Sequence, residues 1–438
     1  MNVMDFLPKE VFQVLGSIPD PIGKSLVRFI DEISEYVPTN SWQRDTNTLP
    51  KELAKYRREV REFAESKLKP FRDEGDRGLS VQSRDAILRL AAKEGLFSDM
   101  LPIPFGTVPW QRYRYPFHLC AAIKMEELCA TCGGIGLLIG AHSLGLAPLI
   151  LSADWNIFKE VILPLQEANM RGVPKLAAYA ITEPGAGSDA EDSEGAQKAK
   201  PGLKAKRVRG GWLLNGRKVF ISGGDIASVV STFAAIDEDP REIPNSWTCF
   251  AVDTSSCGFS CGRNEKKMGQ KASSATELIF EDVFVPDSRV VGGLRNGWKL
   301  NQKTLNYSRI PVGAIAIGIA RGALEDTLEY CKKSGLMNKQ IIAFKLAQME
   351  SKLMAGRSMI WYYAKDWTAQ KAIASAVKVI CSDIAMEVCE TCMDILGNES
   401  FLANRVAEKA MRDVRLTQIY EGTNQINLLA VFEESLAK

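Results

Sequence analysis

Residues 208–221 read VRGGWLLNGRKVFI, and this stretch decides the fold class. Its Gly-Gly and Asn-Gly dipeptides favour hairpin turns, and short runs of apolar and β-branched residues flank both of them. Similar short runs recur at 248–252 and 277–285, and Pro286 ends the second of these. The pattern predicts a small antiparallel β domain over residues 178–290.

Both flanks of this β segment carry the periodicity of helices. Apolar positions at steps of three and four predict a helix that ends before Pro70, with a face formed by Leu53, Tyr56, Val60, Phe63 and the stem of Lys67. A second stripe, capped by Gly397, consists of Ala376, Val377, Ile380, Ile384, Val388 and Ile395. We therefore expect an α+β fold with an N-terminal extension (1–48), an N-terminal helical domain (49–177), the middle β domain (178–290) and a C-terminal helical bundle (291–438).

The composition excludes several classes of protein. A chain of 438 residues is too long for one typical domain of about 100–200 residues. With 46% hydrophobic and 25% charged residues it is neither disordered nor a multi-span membrane protein. The net charge of +2 is too small for nucleic-acid binding that relies on basic charge. Ten cysteines are too few for a disulfide scaffold, and the N-terminus lacks the pattern of a signal peptide, so we expect a reducing, cytoplasmic compartment.

One apolar stretch has the length of a membrane span. Residues 133–153 hold no charged side chain, but five glycines and Pro148 interrupt them. We expect a buried pair of helices here and no membrane span.

The sequence offers few residues for a metal site or for nucleophilic catalysis. The chain has only two histidines, and we expect His142, in its apolar surroundings, to be a core residue bonded to a carbonyl. Two C-x-x-C pairs, Cys129/Cys132 and Cys389/Cys392, resemble a four-thiolate metal set. Both lie within helical patterns and are far apart in sequence, so we expect core cysteines and no metal.

Two further segments suggest a site. In 178–189, AYAITEPGAGSD, a short strand runs into a glycine-rich loop that would let a ligand approach the backbone, although a simple surface turn explains the pattern equally well. In 419–425, IYEGTNQ, Glu421 follows a helical region. If desolvated, its carboxylate would have a raised pKa suited to a general base, while an ordinary helix terminus is the alternative.

Five segments occur in an order that resembles the flavin-dependent acyl-CoA dehydrogenases. They are AYAITEPGAGSDA, the Phe-Ile-Ser run after NGRK, KMGQKASSATELIFEDVFVP, NYSRIPVGAIAIGIARGAL and MRDVRLTQIYEGTNQI. The resemblance covers roughly residues 50–435. It implies that FAD lies between the β domain and the C-terminal helices, that an acyl-CoA binds beside it, and that an electron-transferring flavoprotein accepts the electrons. It also implies a homo-oligomer built as a dimer of dimers.

The same resemblance implies roles for individual residues. The implied FAD contacts are Tyr179, Ala180, Ile181, Thr182, Ser188, Phe220, Ile221, Ser222, Gln340, Asp394, Gly397, Thr423, Asn424 and Gln425. The implied substrate contacts are Ser188, Asn306, Arg309 and Gly422. Glu421 matches the catalytic base of most members. A minority carry the base one residue before the helix arginine, and Ser308 stands there in this chain.

The chain also departs from the family pattern. The family's R-x-T-F-G stretch should precede Gln340, but residues 331–339 read CKKSGLMNK. The loop that contacts the neighbouring subunit's adenosine reads DILGNES at 394–400. Either the adenosine end of FAD is held differently, or the chain pairs with another, or FAD binds weakly. A catalytically silent partner subunit therefore stays open as an alternative. An acyl-CoA oxidase and a flavin monooxygenase on the same fold stay open as well, although Glu421 favours a thioester α-proton over a monooxygenase substrate.

The acyl pocket is expected to differ as well. Glycines at 133, 134, 136 and 140 would either widen the pocket or let another helix approach. The loop at 102–115 adds Phe105, Trp110, Tyr113 and Tyr115, which would either form a wall suited to a bulky acyl group or pack on residues 1–48. Arg112 and Arg114 leave open an acyl group with a second carboxylate.

Overall fold

A computed structural model of the protein describes residue 25 and residues 40–188, 202–236, 246–403 and 405–437. The chain forms two compact units, Met1–Pro50 and Lys51–Lys438. In the first, helix α1 (Ser41–Asn47) is capped by the Asn40 side chain, which accepts a hydrogen bond from the backbone N–H of Gln43. Most of the predicted extension lies outside the described residues, and the predicted division of the second unit into three domains stays a prediction.

In the second unit, one group of helices precedes the sheet along the chain and another group follows it. The helices before the sheet are α2 Lys51–Phe63, α3 Arg72–Arg77, α4 Val81–Lys93, α5 Trp110–Tyr113, α6 Phe117–Thr131, α7 Gly133–Leu151, α8 Trp155–Ile157 and α9 Leu163–Met170. Those after it are α10 Gly297–Lys333, α11 Gln340–Tyr363, α12 Lys371–Leu396, α13 Val406–Arg415 and α14 Asn424–Ser435. The predicted α, β, α order is confirmed.

The sheet has eight described strands. They are β1 Leu176–Ala180, β2 Lys204–Val208, β3 Gly211–Ser222, β4 Ala227–Ile236, β5 Trp247–Asp253, β6 Phe259–Asn264, β7 Ala275–Pro286 and β8 Val290–Val291. Their order is β6-β7-β3-β2-β4-β5-β8, with β1 paired to β4. The sheet is mostly antiparallel, as predicted, but β1 and β2 both pair with β4 in parallel. Parallel pairs need long connections, and neither β1 nor β2 is joined to β4 by a tight hairpin.

The Asn-Gly dipeptide within the opening stretch does not make the predicted turn. Asn215 and Gly216 lie inside the continuous strand β3, at an irregularity in its pairing with β7. Gly216 has a φ of 138°, and a Cβ there would lie 2.8 Å from the Cα of Leu203. A glycine is therefore required by a bulge and a close backbone approach. The Gly-Gly dipeptide does make its turn, since Gly210 separates β2 from β3 with a φ of 80°.

The first predicted helix changes its buried face near its end. Leu53, Tyr56, Val60 and Phe63 are buried, as expected, but Lys67 is exposed. A π-helical turn, Ala64–Leu68, follows α2 and inserts one residue into the repeat, so that Leu68 becomes buried instead.

Helix α7 is one helix where two were predicted. Pro148 lies within its last turn and does not end it before Leu151. Among the described residues α7 is long and apolar enough to cross a membrane by length and composition, yet 72% of its most apolar stretch is buried in the protein. It is therefore a core helix.

Only part of the apolar stripe predicted on α12 is buried. Val377, Val388 and Ile395 are buried, whereas Ile380 is 43% exposed. The buried face also includes small and polar residues that the predicted stripe omits, among them Lys378, Cys381, Ser382, Ala385, Cys389 and Cys392. The cap at Gly397 is confirmed by its φ of 57°. All four cysteines of the two C-x-x-C pairs are buried as free thiols, as predicted for core residues.

Helices α6 and α10 approach each other through glycines of α10. A Cβ at Gly322 would lie 2.1 Å from the carbonyl oxygen of Ala130, and one at Gly318 would lie 2.4 Å from that of Glu126. We expect Gly322→Ala to lower the free energy of unfolding by about 1–3 kcal/mol, because the added methyl group forces the helices apart. Urea unfolding measures this. The control is Gly185→Ala, whose Cβ would meet no atom within 4 Å; equal midpoints for both variants would contradict the expectation.

Candidate active site

A cavity of about 190 Å³ lies between the sheet and helices α6, α7 and α10. Its lining brings together residues that are distant in sequence. Those predicted from the sequence are Tyr179, Ile181, Thr182, Phe220, Ile221, Ser222 and Glu421. The sheet supplies one wall and the turn before α14 supplies Glu421, so the cavity lies where the resemblance places the flavin and substrate.

Strand β1 is fixed to α7 by His142. The ring Nε2 lies 2.9 Å from the carbonyl oxygen of Phe97, and Nδ1 lies 3.0 Å from the backbone nitrogen of Ala177, which donates to it. Burial lowers the pKa of His142 to about 4, so the ring is neutral and serves as donor and acceptor at once. The prediction of a core histidine is confirmed, and through Ala177 this histidine positions the strand that leads to Tyr179 and Thr182.

A buried ion pair fixes the loop after β1 against β3. Lys218 Nζ donates to the carbonyl oxygen of Ile181 and to Glu183 Oε1, each at 2.8 Å. The backbone N–H of Val219 donates to the carbonyl oxygen of Thr182 at 2.9 Å. Burial lowers the pKa of Lys218, while the Glu183 carboxylate counteracts it. This pair was not recognised in the sequence, and it brings Thr182 beside the Phe220–Ser222 segment.

Glu421 occupies a left-handed turn. Its φ is 56° and that of Gly422 is 80°, and such a conformation is uncommon for a residue with a side chain. Glu421 Oε2 accepts a hydrogen bond of 2.8 Å from Ser308 Oγ of α10. The two positions that the family uses for its base are therefore in direct contact in this chain.

Three donors hold the backbone of this turn. Arg309 Nε donates to the carbonyl oxygen of Glu421 at 3.4 Å, and Asn427 Nδ2 donates to that of Gly422 at 3.0 Å. Lys378 Nζ, fully buried on α12, donates to the same Gly422 oxygen at 2.8 Å and to Asn424 Oδ1 at 2.7 Å. Lys378 and Asn427 were missed in the sequence. A lysine on the buried side of an otherwise apolar helix was the available signal.

Several predicted FAD contacts lie next to the cavity without lining it. Ser188 Oγ accepts from the backbone N–H of Thr423 at 3.1 Å, which joins the glycine-rich loop to the turn. Asn424 is buried and bonds Ser382 and Asp383, whereas Gln425 is exposed and Ala180 is buried within the sheet. Their roles toward the cofactor stay predictions.

The other predicted residues lie apart from the cavity lining. Arg309 is buried, with its Nη1 3.0 Å from Ser375 Oγ, and Asn306 is half-buried. Gln340, Asp394 and Gly397 are exposed, and Asp394 forms an ion pair of 3.5 Å with Lys345. Their assignment to the subunit-bridging half of the cofactor site stays a prediction.

The glycines of α7 mostly serve helix packing. A Cβ at Gly133 would lie 2.8 Å from Ile319 Cδ1, one at Gly134 would lie 3.0 Å from Ala272, and one at Gly136 would lie 2.3 Å from Cys129 Sγ. Gly140 lines the cavity, yet a Cβ there would also lie 2.6 Å from Met125 Cε. Close packing therefore explains these glycines better than an enlarged pocket.

The aromatic residues of the 102–115 loop do not form the expected wall. None of Phe105, Trp110, Tyr113 and Tyr115 lines the cavity. Arg112 stacks over the ring of Tyr56 at 3.9 Å, and Arg114 is exposed, so neither is placed to bind a second carboxylate in the cavity. The prediction failed because the sequence pattern of an irregular loop does not determine the direction in which its side chains point.

Comparisons with known proteins agree with this geometry. The N-terminal, middle and C-terminal domains of acyl-CoA dehydrogenase match residues 50–160, 178–283 and 295–436. A probable acyl-CoA dehydrogenase fadE25 of Mycobacterium leprae is 32% identical over 393 residues, which cover 87% of this chain and 95% of the relative.

Two solved structures show the same fold. Butyryl-CoA dehydrogenase from Megasphaera elsdenii has a TM-score of 0.79 at 28% identity, covering 89% of this chain and 99% of that chain. A chain of a structure described as the electron transferring flavoprotein of Acidaminococcus fermentans has a TM-score of 0.80 at 28% identity, with the same coverage. The chain therefore belongs to the acyl-CoA dehydrogenase family, whose members are flavoprotein oxidoreductases.

Proposed function

We propose that the protein catalyses the FAD-dependent α,β-dehydrogenation of an acyl-CoA thioester to a 2-enoyl-CoA, with Glu421 as the catalytic base. One observation carries the proposal: the Glu421 carboxylate, bonded to Ser308, lines the same cavity as the predicted flavin residues of β1 and β3. The family places its base at one of two positions, which Glu421 and Ser308 occupy in this chain. Only the Glu421 carboxylate can act as the base, since a serine hydroxyl is far too weak a base.

The residues present fit the ring of FAD. Phe220 is 59% exposed although it is aromatic, and its φ of 60° presents the ring at the cavity. The hydroxyls of Thr182 and Ser222 line the same wall and match a ring edge that carries both hydrogen-bond donors and acceptors. In the adjoining loop a Cβ at Gly185 or Gly187 would meet no atom within 4 Å, which leaves room for a bulky cofactor.

The chain's own residues supply proton transfer and positioning. Glu421 takes the α-proton of the thioester, and the hydrogen bond from Ser308 orients its carboxylate. The donors Arg309, Asn427 and Lys378 fix the backbone of the turn, so that the carboxylate keeps one position during the reaction. When bound, FAD would supply the redox chemistry, as the acceptor for the β-hydrogen that leaves as hydride. The acyl-CoA thus loses one proton and one hydride and becomes the 2-enoyl-CoA.

An electron-transferring flavoprotein is the proposed electron acceptor. The structural similarity to a chain described under that partner's name supports this choice. All ten cysteines are free thiols, which suits a reducing compartment, and we place the protein in the cytoplasm.

Product analysis tests the proposed function. The purified protein is supplied with FAD, butyryl-CoA and related thioesters, and an artificial electron acceptor under argon, and the thioesters are then analysed by mass spectrometry. We expect a product that lacks two hydrogens. Product formed only with oxygen present would identify an oxidase instead, and no product from any thioester would favour a silent subunit.

A first variant examines how the turn is held. Lys378→Met leaves buried carbonyl oxygens of the turn with fewer donors, so we expect kcat to fall about tenfold while KM changes little. The control is Lys159→Met, an exposed lysine in the π-helical turn Phe158–Ile162 before α9. Equal kcat in the Lys378 variant and the control would show that the turn does not need this lysine.

The oligomeric state is a second expectation. Exposed apolar side chains crowd α11 and α14: Ile341, Phe344, Leu428, Leu429 and Phe432 are each more than half exposed. Apolar exposure of this kind marks an interface, and we propose a homotetramer built as a dimer of dimers. Light scattering should give four times the chain mass of 48.3 kDa. A monomer with FAD bound would exclude a cofactor site shared between subunits.

A further inference from the structure

The cavity that contains Glu421 also contains a buried ion pair. Lys124 of α6 and Asp99 both line it, with Lys124 Nζ 2.9 Å from Asp99 Oδ2 and side chains only 2% and 7% exposed. Lys124 Nζ also donates to Ser143 Oγ of α7 at 3.4 Å, and Ser143 lines the cavity as well. We call Asp99, Lys124 and Ser143 the polar end of the cavity.

The polar end and Glu421 lie at different heights along the axes of helices α6 and α10. Helices α6 and α10 run side by side in the same direction, since Gly318 abuts Glu126 and Gly322 abuts Ala130. His118 packs on the ring of Tyr307, next to Ser308, with ring centroids 5.3 Å apart. Lys124 follows His118 by six residues, or about 9 Å along the helix. An acyl chain that begins at Glu421 therefore passes His118 and runs toward the polar end.

The ion pair itself is already satisfied. Lys124 donates to Asp99, to Ser143 and to the carbonyl oxygen of Leu96, and Asp99 Oδ2 accepts from the hydroxyl of Tyr56 at 3.0 Å. Among the described residues, the cavity lining holds one lysine against the carboxylates of Asp99 and Glu421, which is a net formal charge of −1. A second carboxylate on the acyl group would be repelled, and no proton of Lys124 is left for it.

Among the described residues of the lining, Ser143 and His118 lie away from the proposed flavin wall and are neutral groups that keep hydrogen-bonding capacity. No described residue accepts the hydroxyl proton of Ser143. His118 is 1% exposed, and neither ring nitrogen makes a hydrogen bond of ordinary geometry, although the backbone of Asp366 lies close. Burial lowers the pKa of His118 to about 4, so its ring is neutral, with one donor and one acceptor. Against the methylenes of a plain alkyl chain, the hydroxyl proton of Ser143 and the ring nitrogens of His118 would stay without partners.

We propose that the acyl group of the substrate carries a neutral oxygen function, a hydroxyl or a ketone, beyond its β-carbon, and that Ser143 or His118 hydrogen-bonds this oxygen. The inference rests on the proposed dehydrogenation, since it names the substrate class of the same cavity. Sites built to bond a polar group discriminate strongly against analogues that lack it.

A panel of thioesters of one chain length tests this inference. It contains octanoyl-CoA, its hydroxy derivatives with the oxygen on successive carbons from the fourth to the eighth, its oxo derivatives from the fourth to the seventh, and the dicarboxylic suberyl-CoA. We expect kcat/KM for the best oxygenated thioester to exceed that of octanoyl-CoA by about tenfold or more, and suberyl-CoA to be the poorest substrate. The hydroxy and oxo arms tell the two oxygen functions apart.

Two variants show which side chain of the protein hydrogen-bonds the substrate oxygen. Ser143→Ala or His118→Phe should reduce the preference, measured in each variant as the ratio of kcat/KM for the best oxygenated thioester to that for octanoyl-CoA, to within about twofold. Ser351→Ala, on the exposed side of α11, is the matched control. The inference is overturned if octanoyl-CoA equals or exceeds every derivative, or if the preference survives both variants. Absence of turnover with all thioesters would instead contradict the proposed function, and this inference with it.

Discussion

Glu421→Gln is expected to retain FAD and bind acyl-CoA but to lose about 10²–10⁴-fold of the dehydrogenation rate. Glutamine preserves the size of the side chain and its contact with Ser308, while it removes the group that accepts the α-proton. Since Ser308 occupies the other base position of the family, no second carboxylate is available there to replace it. Steady-state kinetics with butyryl-CoA and flavin content per chain, measured on the same preparation, check both parts of the expectation.

The matched control is Glu390→Gln, on an exposed position of α12. It makes the same chemical change away from the cavity and should keep wild-type rates. If Glu421→Gln kept more than about a tenth of the wild-type activity, the assignment of Glu421 as base would be wrong.

The largest effect on stability is expected from Glu126→Gln. Glu126 and Glu127 of α6 are surrounded by Arg57, Arg321 and Arg357, and all five side chains are at most 6% exposed. Arg357 Nε lies 2.8 Å from Glu126 Oε1, and Arg57 Nε lies 2.7 Å from Glu127 Oε1. This network joins α2, α6, α10 and α11. Removing one carboxylate leaves buried guanidinium charge without its partner, which should lower the free energy of unfolding by about 3–5 kcal/mol.

Denaturant unfolding of the holoprotein measures this loss. Glu59→Gln provides the control, because Glu59 forms an exposed ion pair with Lys55 at 3.6 Å and should contribute at most about 1 kcal/mol. A Glu126 variant as stable as the control would show that the network contributes little to the fold.

The sequence was sufficient for features that local patterns encode. The change from helical to strand periodicity predicted the order of the layers. The motif around Glu421 left a helix terminus open, and it was the resemblance to the family that predicted Glu421 as a base, which the structure brings to a cavity. The parallel pairing of β1 and β2 with β4 could not be predicted, because strand direction depends on how long connections run. The Asn-Gly dipeptide was misleading because a bulge and a hairpin turn both favour a glycine at positive φ.

The supports of the site were harder to predict than its central residues. Lys378 and the Lys218–Glu183 pair contact groups far away in sequence, and nothing local distinguishes a buried lysine from a solvated one. The same limit applies to the acyl pocket. Glycines on a helix fit a cavity or a packing contact equally well, and only the structure shows Ile319, Ala272 and Cys129 against three of them.

The most direct test of the dehydrogenase assignment is an anaerobic titration of the purified protein with acyl-CoA thioesters, followed by visible absorption. We predict the spectrum of bound oxidised flavin at about one FAD per chain, and bleaching of this spectrum on addition of a substrate thioester, because the base and the flavin wall share one cavity. A protein that neither contains nor takes up flavin, or a bound flavin that no acyl-CoA bleaches, would contradict the assignment.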